Sequence, residues 1–157
     1  MKGGAQMKFH VFEVKEPKFP VSFSSAKDVF DTMSGFSKSD REMFMILFLN
    51  TKNKMIDYVT HTIGTVDSSS VYPRDVLKSA LYFNAAALIF CHNHPSGDPE
   101  PSTNDKMITK TMVMICELAG IPVLDHVILG KDVFYSFADA GLIDDYKRQG
   151  QQILNRL

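Results

Sequence analysis

The sequence predicts an α/β fold in which helices flank a mixed β-sheet. Two apolar runs of strand length, Met43–Leu49 and residues 85–91, are typical of strands that are covered on both faces. Segments with apolar residues at helical spacing lie between the candidate strands. Two pairs of neighbouring candidate strands are joined by short turns, and a repeating βαβ series would contain no such hairpins. Both a two-layer and a three-layer arrangement fit this pattern.

The N-terminal region is predicted to contain a leader, a strand and a helix. Residues 1–6 are rich in glycine and lack an apolar segment, so we expect a leader that need not be ordered, followed by a single domain over residues 7–157. Residues 7–14 alternate between apolar and polar side chains, which predicts a strand. Residues 24–33 predict a helix, which either of the two serines at its start can cap.

A β-hairpin and a second helix are expected next. Met43–Leu49 and Met55–Ile63 are joined by turn-forming residues, and the second run is rich in β-branched and aromatic residues, so the two predict a hairpin. A loop over residues 67–70 precedes a helix over residues 73–84, whose apolar face is predicted to contain Val76, Leu77, Ala80 and Leu81. The proline at the start of that helix loses no hydrogen bond, because the first helical N–H has no partner within the helix.

The C-terminal half predicts a strand, a helix, a hairpin and a last helix. Residues 85–94 form the second buried strand, and a proline-rich loop leads from it to Ser102, which opens a helix with one apolar stripe. Residues 122–129 and 133–136 are interpreted as two strands joined by a tight turn. The tail from residue 138 is predicted to be helical.

Composition and charge limit the classes of function. The chain has 157 residues with 17 Lys and Arg against 18 Asp and Glu, a net charge of −1, so the charge gives no support to nucleic-acid binding. No apolar run approaches the ~18 residues that cross a membrane. The two cysteines, Cys91 and Cys116, form no spacing motif and indicate a reducing compartment, so we expect a cytoplasmic location.

One segment combines side chains that can bind a metal ion. His92 and His94 are two residues apart near the end of a strand, so their imidazoles face the same side. The proline-rich loop then brings Ser102 to a helix N-cap and Asp105 to the first turn of that helix. Two nitrogens and one carboxylate oxygen leave a fourth tetrahedral position for water, which is typical of a catalytic zinc site.

Helix capping is an alternative explanation for part of this pattern. Ser102 and Asp105 fit a capping box, which needs no metal. A capping box does not explain why two histidines face the same side.

The segment HNHPSGDPEPSTND, residues 92–105, resembles the JAMM signature of JAB/MPN+ metalloprotease domains, in which H-x-H is followed after seven residues by S-x-x-D. The string HPSGDPEPS, the preceding YPRD and the later Asp125-His126 pair are similar to the bacterial RadC-like branch. The resemblance covers about residues 37–142. It implies a JAB/MPN fold of cytidine-deaminase-like architecture.

The resemblance also implies roles for five residues. His92, His94 and Asp105 match the zinc ligands of the family, so one Zn²⁺ ion is expected as the cofactor. Ser102 matches the serine that helps to stabilise the oxyanion. Glu42, directly ahead of the first buried strand, matches the glutamate that acts as general acid and base through the zinc-bound water.

The function implied is that of a zinc metallopeptidase that cleaves an isopeptide or an exposed peptide segment, so the partner is a peptide or protein substrate. The alternative is a zinc-stabilised accessory protein of DNA repair or mobile-element biology with little hydrolytic activity. Steeply salt-dependent DNA binding would favour the accessory role over the metallopeptidase. Phosphoester hydrolysis is disfavoured because no second carboxylate cluster is present. The oligomeric state stays open.

Expectations also follow for five other residues. Glu100 competes with Glu42 as catalytic carboxylate, but flanking prolines should point it outward. The Asp125-His126 pair either supports a zinc ligand or is a structural polar pair, and both readings stay open. Cys91 should pack in the core on the face opposite the histidines. Tyr72 stands where the family commonly has His, so the cleft rather than the metal site should differ.

Overall fold

The computed structural model describes residues 21–64, 66 and 70–156. The predicted leader over residues 1–6 and the strand predicted over residues 7–14 lie outside the described residues, as does most of the loop predicted over residues 67–70.

The described residues form an α/β fold, as predicted. In chain order the elements are α1 (Ala26–Met33), a 3₁₀ turn (Ser34–Lys38), β1 (Met43–Leu49), β2 (Met55–Ile63), α2 (Pro73–Tyr82), β3 (Ala87–Asn93), α3 (Thr103–Leu118), β4 (Val123–Leu129), β5 (Phe134–Ser136) and α4 (Leu142–Leu154).

The five strands make one mixed sheet in the order β2-β1-β3-β4-β5. β3 and β4 are parallel, and the other neighbours are antiparallel. Both predicted hairpins are present, β1 with β2 and β4 with β5. The parallel pair is joined by α3, because parallel neighbours need a crossover connection rather than a tight turn.

Helices cover both faces of the sheet, which settles the open question in favour of three layers. Along β1 the side chains alternate, so that Phe44 and Ile46 pack with α2, α3 and α4, whereas Met45 and Leu47 pack with α1 and the 3₁₀ turn. All seven residues of β1 and all seven of β3 are buried. Their uniformly apolar sequence therefore reflects burial on both faces.

The start of one helix and the apolar face of another differ from the predictions. The C-terminal helix begins at Leu142 rather than residue 138, because Gly141 has a positive φ of 76° and residues 138–141 form a turn. In α2, Val76 and Ala80 are buried but Leu81 is 70% exposed, so the apolar face is narrower than its sequence indicates. None of the described helices is long and apolar enough to cross a membrane.

Candidate metal centre

Four side chains from separate parts of the chain converge at one end of the sheet. Glu42 directly precedes β1, His92 lies near the end of β3, His94 follows that strand, and Asp105 lies in the first turn of α3. Each offers one nitrogen or oxygen atom, and these four atoms lie within 4.8 Å of one another. We call these residues the four-residue cluster.

Strand pairing brings Glu42 to the histidines. β1 and β3 are antiparallel with Phe44 opposite His92, so the start of β1 meets the end of β3. Glu42 Oε1 lies 3.7 Å from His92 Nε2 and 3.8 Å from His94 Nε2. Fifty residues of chain separate these groups, and only the sheet register makes them neighbours.

The loop between β3 and α3 is anchored to the β4–β5 turn. His94 N–H donates to the Leu129 carbonyl at 2.9 Å, and Lys131 N–H donates to the Gly97 carbonyl at 2.8 Å. Gly130 lies so close to the loop that a Cβ atom there would be 2.5 Å from the Gly97 carbonyl oxygen. The absence of a side chain at residue 130 therefore allows the loop to dock.

The capping box predicted at α3 is present and shares a residue with the cluster. Ser102 Oγ accepts a hydrogen bond from Asp105 N–H at 3.0 Å, and Asp105 Oδ2 accepts one from Ser102 N–H at 2.7 Å. Asp105 Oδ1 also lies 3.3 Å from His92 Nε2, and its Oδ2 lies 3.4 Å from His94 Nε2. Capping and cluster formation are therefore compatible, because one carboxylate serves both.

The hydrogen bonds of His94 determine which of its nitrogens faces the cluster. Its Nδ1 lies 2.8 Å from the Asp98 carbonyl oxygen. A carbonyl can only accept, so Nδ1 must carry the proton, and in the neutral ring Nε2 presents a lone pair.

His92 is fixed in the same way through a relay of three buried side chains. Thr109 Oγ1 donates to the Asp105 carbonyl at 2.6 Å, so it must accept from His126 Nδ1, which lies 2.6 Å away. His126 Nε2 then accepts from His92 Nδ1 at 2.7 Å. The lone pair of the neutral His92 ring therefore also lies on Nε2, which faces the cluster. Orienting partners of this kind are typical of metal-binding histidines.

This arrangement fits a divalent metal ion. The two Nε2 atoms are 2.9 Å apart, although each presents a lone pair in the neutral ring, so a cation between them would remove their repulsion. In a tetrahedral zinc site with bonds of roughly 2.0–2.1 Å, ligand atoms are about 3.3 Å apart. The separations between His92, His94 and Asp105 are close to that value. Imidazole and carboxylate donors suit zinc.

Burial and charge set the pKa values of the cluster. Burial raises the pKa of Asp105, but His92 and His94, which donate hydrogen bonds to it from Nε2 when their rings are protonated, outweigh burial and hold that pKa well below the usual range. Because only the protonated ring of His94 can donate to Asp105 from Nε2, this hydrogen bond raises the pKa of His94, although burial opposes it. Complete burial lowers the pKa of His126 well below its ordinary value, and nearby His92 lowers it further. His126 therefore stays neutral, as the relay requires.

Glu42 differs from the other three members. Its side chain is 24% exposed, whereas that of Asp105 is 4% exposed and that of His92 is fully buried. Glu42 Oε2 accepts a hydrogen bond from Val66 N–H at 3.3 Å, and Oε1 faces the histidines. Its carboxylate lies farther from the two Nε2 atoms than that of Asp105, at the solvent-accessible side of the cluster.

The other residues singled out in the sequence differ in their relation to the four-residue cluster. Cys91 is buried in the core cluster on the α1 face, as predicted. Glu100 is exposed and lies outside the four-residue cluster. Of the Asp125-His126 pair, only His126 contacts a candidate ligand, whereas Asp125 accepts hydrogen bonds from Ser136 Oγ and from backbone N–H groups. Tyr72 is 44% exposed.

Three residues around the cluster were not predicted. Thr109 lies four residues after Asp105 on the same helix, a spacing that places both on one face and could have identified it. Val66 acts through its backbone N–H, so its side chain carries no signal. Asn93, between the two histidines, bonds the backbone on both sides of Glu42.

Comparison with known proteins places these features in a family. A family model described as the RadC-like JAB domain matches residues 23–142, so the match begins before the predicted residue 37 and includes α1. The UPF0758 protein PM1152 of Pasteurella multocida (strain Pm70) is 41% identical over 130 residues, which cover 82% of this chain and 58% of that protein. The UPF0758 protein YfjY of Escherichia coli (strain K12) is 51% identical over 104 residues, 66% of this chain and 65% of that protein.

These alignments span about two thirds or less of the relatives' own length. The names of these relatives state no activity. The family match covers most of the chain and contains all four residues of the cluster. The chain therefore belongs to the family of RadC-like JAB domains.

Proposed function

We propose that this domain is a zinc-dependent hydrolase of the JAMM type that cleaves peptide or isopeptide bonds. The observation that carries the proposal is the convergence of two oriented imidazole Nε2 atoms and the Asp105 carboxylate, with the Glu42 carboxylate beside them at the solvent side. Three ligands with an open fourth position are typical of catalytic rather than structural zinc.

In this proposal His92, His94 and Asp105 hold the ion. Zinc at such a site supplies a water that is nucleophilic near neutral pH and polarises a carbonyl oxygen. Proton transfer and stabilisation of the oxyanion are assigned to residues of the chain.

Glu42 is proposed as the general acid and base. Its Oε2 atom is engaged by Val66 N–H, which leaves Oε1 to take a proton beside the histidines and to pass it to the leaving amine. Ser102 is proposed to donate its hydroxyl proton to the developing oxyanion. Its Oγ accepts the Asp105 N–H, and a hydroxyl that accepts this bond still has a proton to give. In other hydrolases one such donor stabilises the transition state by about 3–4 kcal/mol.

Metal analysis tests the binding half of the proposal. The purified chain, loaded with zinc and freed of excess, should hold one ion per chain, and the His92→Ala variant should hold none. Zinc retained at full stoichiometry in that variant would show that His92 is not a ligand.

Cleavage of a peptide library tests the catalytic half. The zinc-loaded protein is incubated with a proteome-derived peptide library and with isopeptide-linked peptides, and new termini are identified by mass spectrometry. Glu42→Gln should retain zinc and lose cleavage by a factor of about 100 or more. Glu100→Gln, an exposed carboxylate of the neighbouring loop, is the matched control and should cleave normally. A wild-type protein with full zinc and no Glu42-dependent cleavage would contradict the proposed activity.

A further inference from the structure

Asn93 is a completely buried polar residue at the end of β3. Its Oδ1 accepts a hydrogen bond from Met43 N–H at 2.8 Å, and its Nδ2 donates to the Arg41 carbonyl at 2.9 Å. The orientation of the amide is unambiguous, because one partner can only donate and the other can only accept. The two backbone groups that it binds lie on either side of Glu42.

We propose that Asn93 is a positioning residue that fixes the Glu42 carboxylate relative to the metal ligands. Its importance for catalysis rests on the function proposed above, whereas its effect on the position of Glu42 can be measured without metal. The residue between the two histidines thereby connects β3, which carries the candidate ligands, to the backbone that carries the candidate base.

The amide continues the sheet where the backbone ladder stops. The pairing of β1 with β3 ends at Phe44 opposite His92, so the backbone at residues 41–43 has no further ladder partner on that side. The side chain of Asn93 supplies one acceptor and one donor there, as a further backbone pair would. Residue 42 itself is left with its side chain free to reach the histidines.

The opposite side of residue 42 is held by the segment that follows β2. Gly64 N–H donates to the Glu42 carbonyl at 2.8 Å, and Val66 N–H donates to Glu42 Oε2 at 3.3 Å. With Asn93 on one side and this segment on the other, the backbone at Glu42 is fixed from two directions. A carboxylate fixed in this way keeps its Oε1 about as far from one imidazole as from the other.

Few other side chains could make the same contacts. Aspartate would keep an acceptor for Met43 N–H but would lack a donor for the Arg41 carbonyl, and leucine would leave both backbone groups without a partner. A buried backbone group without a partner is costly, so the segment would shift to recover its hydrogen bonds. Such a shift would move Glu42 but would leave the histidines on β3.

Amide hydrogen exchange in the metal-free full chain tests the proposal directly. In Asn93→Ala, exchange at Met43 N–H should accelerate about tenfold or more, because its buried acceptor is lost. Exchange at Val66 N–H should accelerate as well, although Asn93 does not bind that group, because the Glu42 carboxylate that protects it is displaced. Exchange at Val66 that matches the wild type would overturn the proposal.

Ser136→Ala is the matched control. It removes a buried hydrogen bond to Asp125 on β4, away from residues 41–43. It should leave exchange at Met43 and Val66 as in the wild type. If exchange at Met43 and Val66 accelerated in Ser136→Ala as much as in Asn93→Ala, Asn93 would contribute only to general stability. That result would also overturn the proposal.

Asn93→Asp provides a second variant in case the alanine variant does not fold. It should retain protection at Met43 and lose protection at Val66, because only the contact to Arg41 is removed. Wild-type exchange at both amides in this variant would contradict the proposed role.

A last measurement links the position of Glu42 to activity. Zinc-loaded Asn93→Ala should hold one ion per chain and cleave library peptides with a kcat at least tenfold lower and an unchanged KM. Wild-type kcat would overturn the catalytic part of the proposal. If the wild type holds no zinc or cleaves nothing, the proposed function fails, but the exchange results still decide the role of Asn93.

Discussion

At the scale of single residues, the relay from Thr109 through His126 to His92 determines which nitrogen meets the cluster. Each member has one possible role, because the relay ends on the Asp105 carbonyl, which can only accept. The same helix thus supplies a candidate ligand through the Asp105 side chain and an orienting acceptor through its backbone.

Replacing Thr109 with valine should weaken zinc binding by a factor of about 10–100, because Thr109 fixes His126, the orienting partner of His92, and loss of such a partner has this effect in other sites. Competition with a chromogenic chelator measures the change. Thr111→Val, an exposed threonine of the same helix, should bind zinc as the wild type does. Equal affinities in all three proteins would show that the relay does not tune the site.

Gly130 also affects the site, through its close contact with the loop between β3 and α3. In Gly130→Ala the new methyl group would meet the Gly97 carbonyl oxygen and the Pro99 ring, 2.5 and 2.9 Å away. Relief of that overlap displaces the loop whose Asp98 carbonyl orients His94. We expect a loss of about 1–3 kcal/mol in the free energy of unfolding and weaker zinc binding.

Chemical unfolding and chelator competition test this prediction together. Gly120→Ala is the control, since Gly120 has a positive φ of 72° but open space around it. That variant should lose stability through backbone strain alone and keep the zinc affinity of the wild type. Gly130→Ala with unaltered zinc binding would show that the loop can shift without disturbing His94.

At the scale of elements, two helices begin with the same capping device but use it differently. Ser25 and Asp28 form a capping box at α1, and Ser102 and Asp105 form one at α3. At α1 Asp28 binds the two serines at the start of the helix, whereas at α3 Asp105 also faces the histidines. The local sequence pattern is the same, and the neighbouring strands make the difference.

The capping box at α1 predicts a pH dependence of stability. Hydrogen bonds from Ser24 and Ser25 lower the pKa of Asp28 from 3.8 to about 2. Because the folded pKa is lower than the unfolded one, the stabilisation is present above about pH 4 and is lost as the pH falls towards 2. The difference in free energy of unfolding between the wild type and Asp28→Asn should therefore shrink over this interval. An NMR titration of Asp28 with a midpoint near 4 would contradict the prediction.

At the scale of the whole molecule, metal binding should be coupled to folding. The candidate ligands come from β3, the following loop and α3, so an unfolded chain does not hold them together. At a free zinc concentration about 1,000-fold above Kd the folded state gains about 4 kcal/mol. For a chain of this size that gain raises Tm by about 10 °C.

Thermal unfolding with zinc and with a chelator measures this coupling. The wild type should show the shift in Tm, and His92→Ala should show none. A shift of the same size in both proteins would place the stabilising zinc outside the four-residue cluster.

Much of the fold could be predicted because its signals are local. Met43–Leu49 is apolar throughout, and the structure gives a strand with those bounds. The start of α3 follows from Ser102 and Asp105, whose capping bonds join residues three apart. The width of the buried face of α2 could not be predicted in this way, because Leu81 has helical spacing but no neighbour among the described residues that buries it.

For the described residues, the sequence by itself predicted the strands, the helices and three side chains able to bind a metal, His92, His94 and Asp105, because periodicity, capping and the H-x-H spacing act over a few residues. Only the tertiary structure decided that β1 lies against β3 and that α3 begins at the same edge. That pairing brings Glu42 to residues 50 or more positions away and sets Asn93 against its backbone, and the parallel pairing of β3 with β4 places His126 behind His92. Contacts over such separations depend on sheet register and shared burial, which no short stretch of sequence specifies.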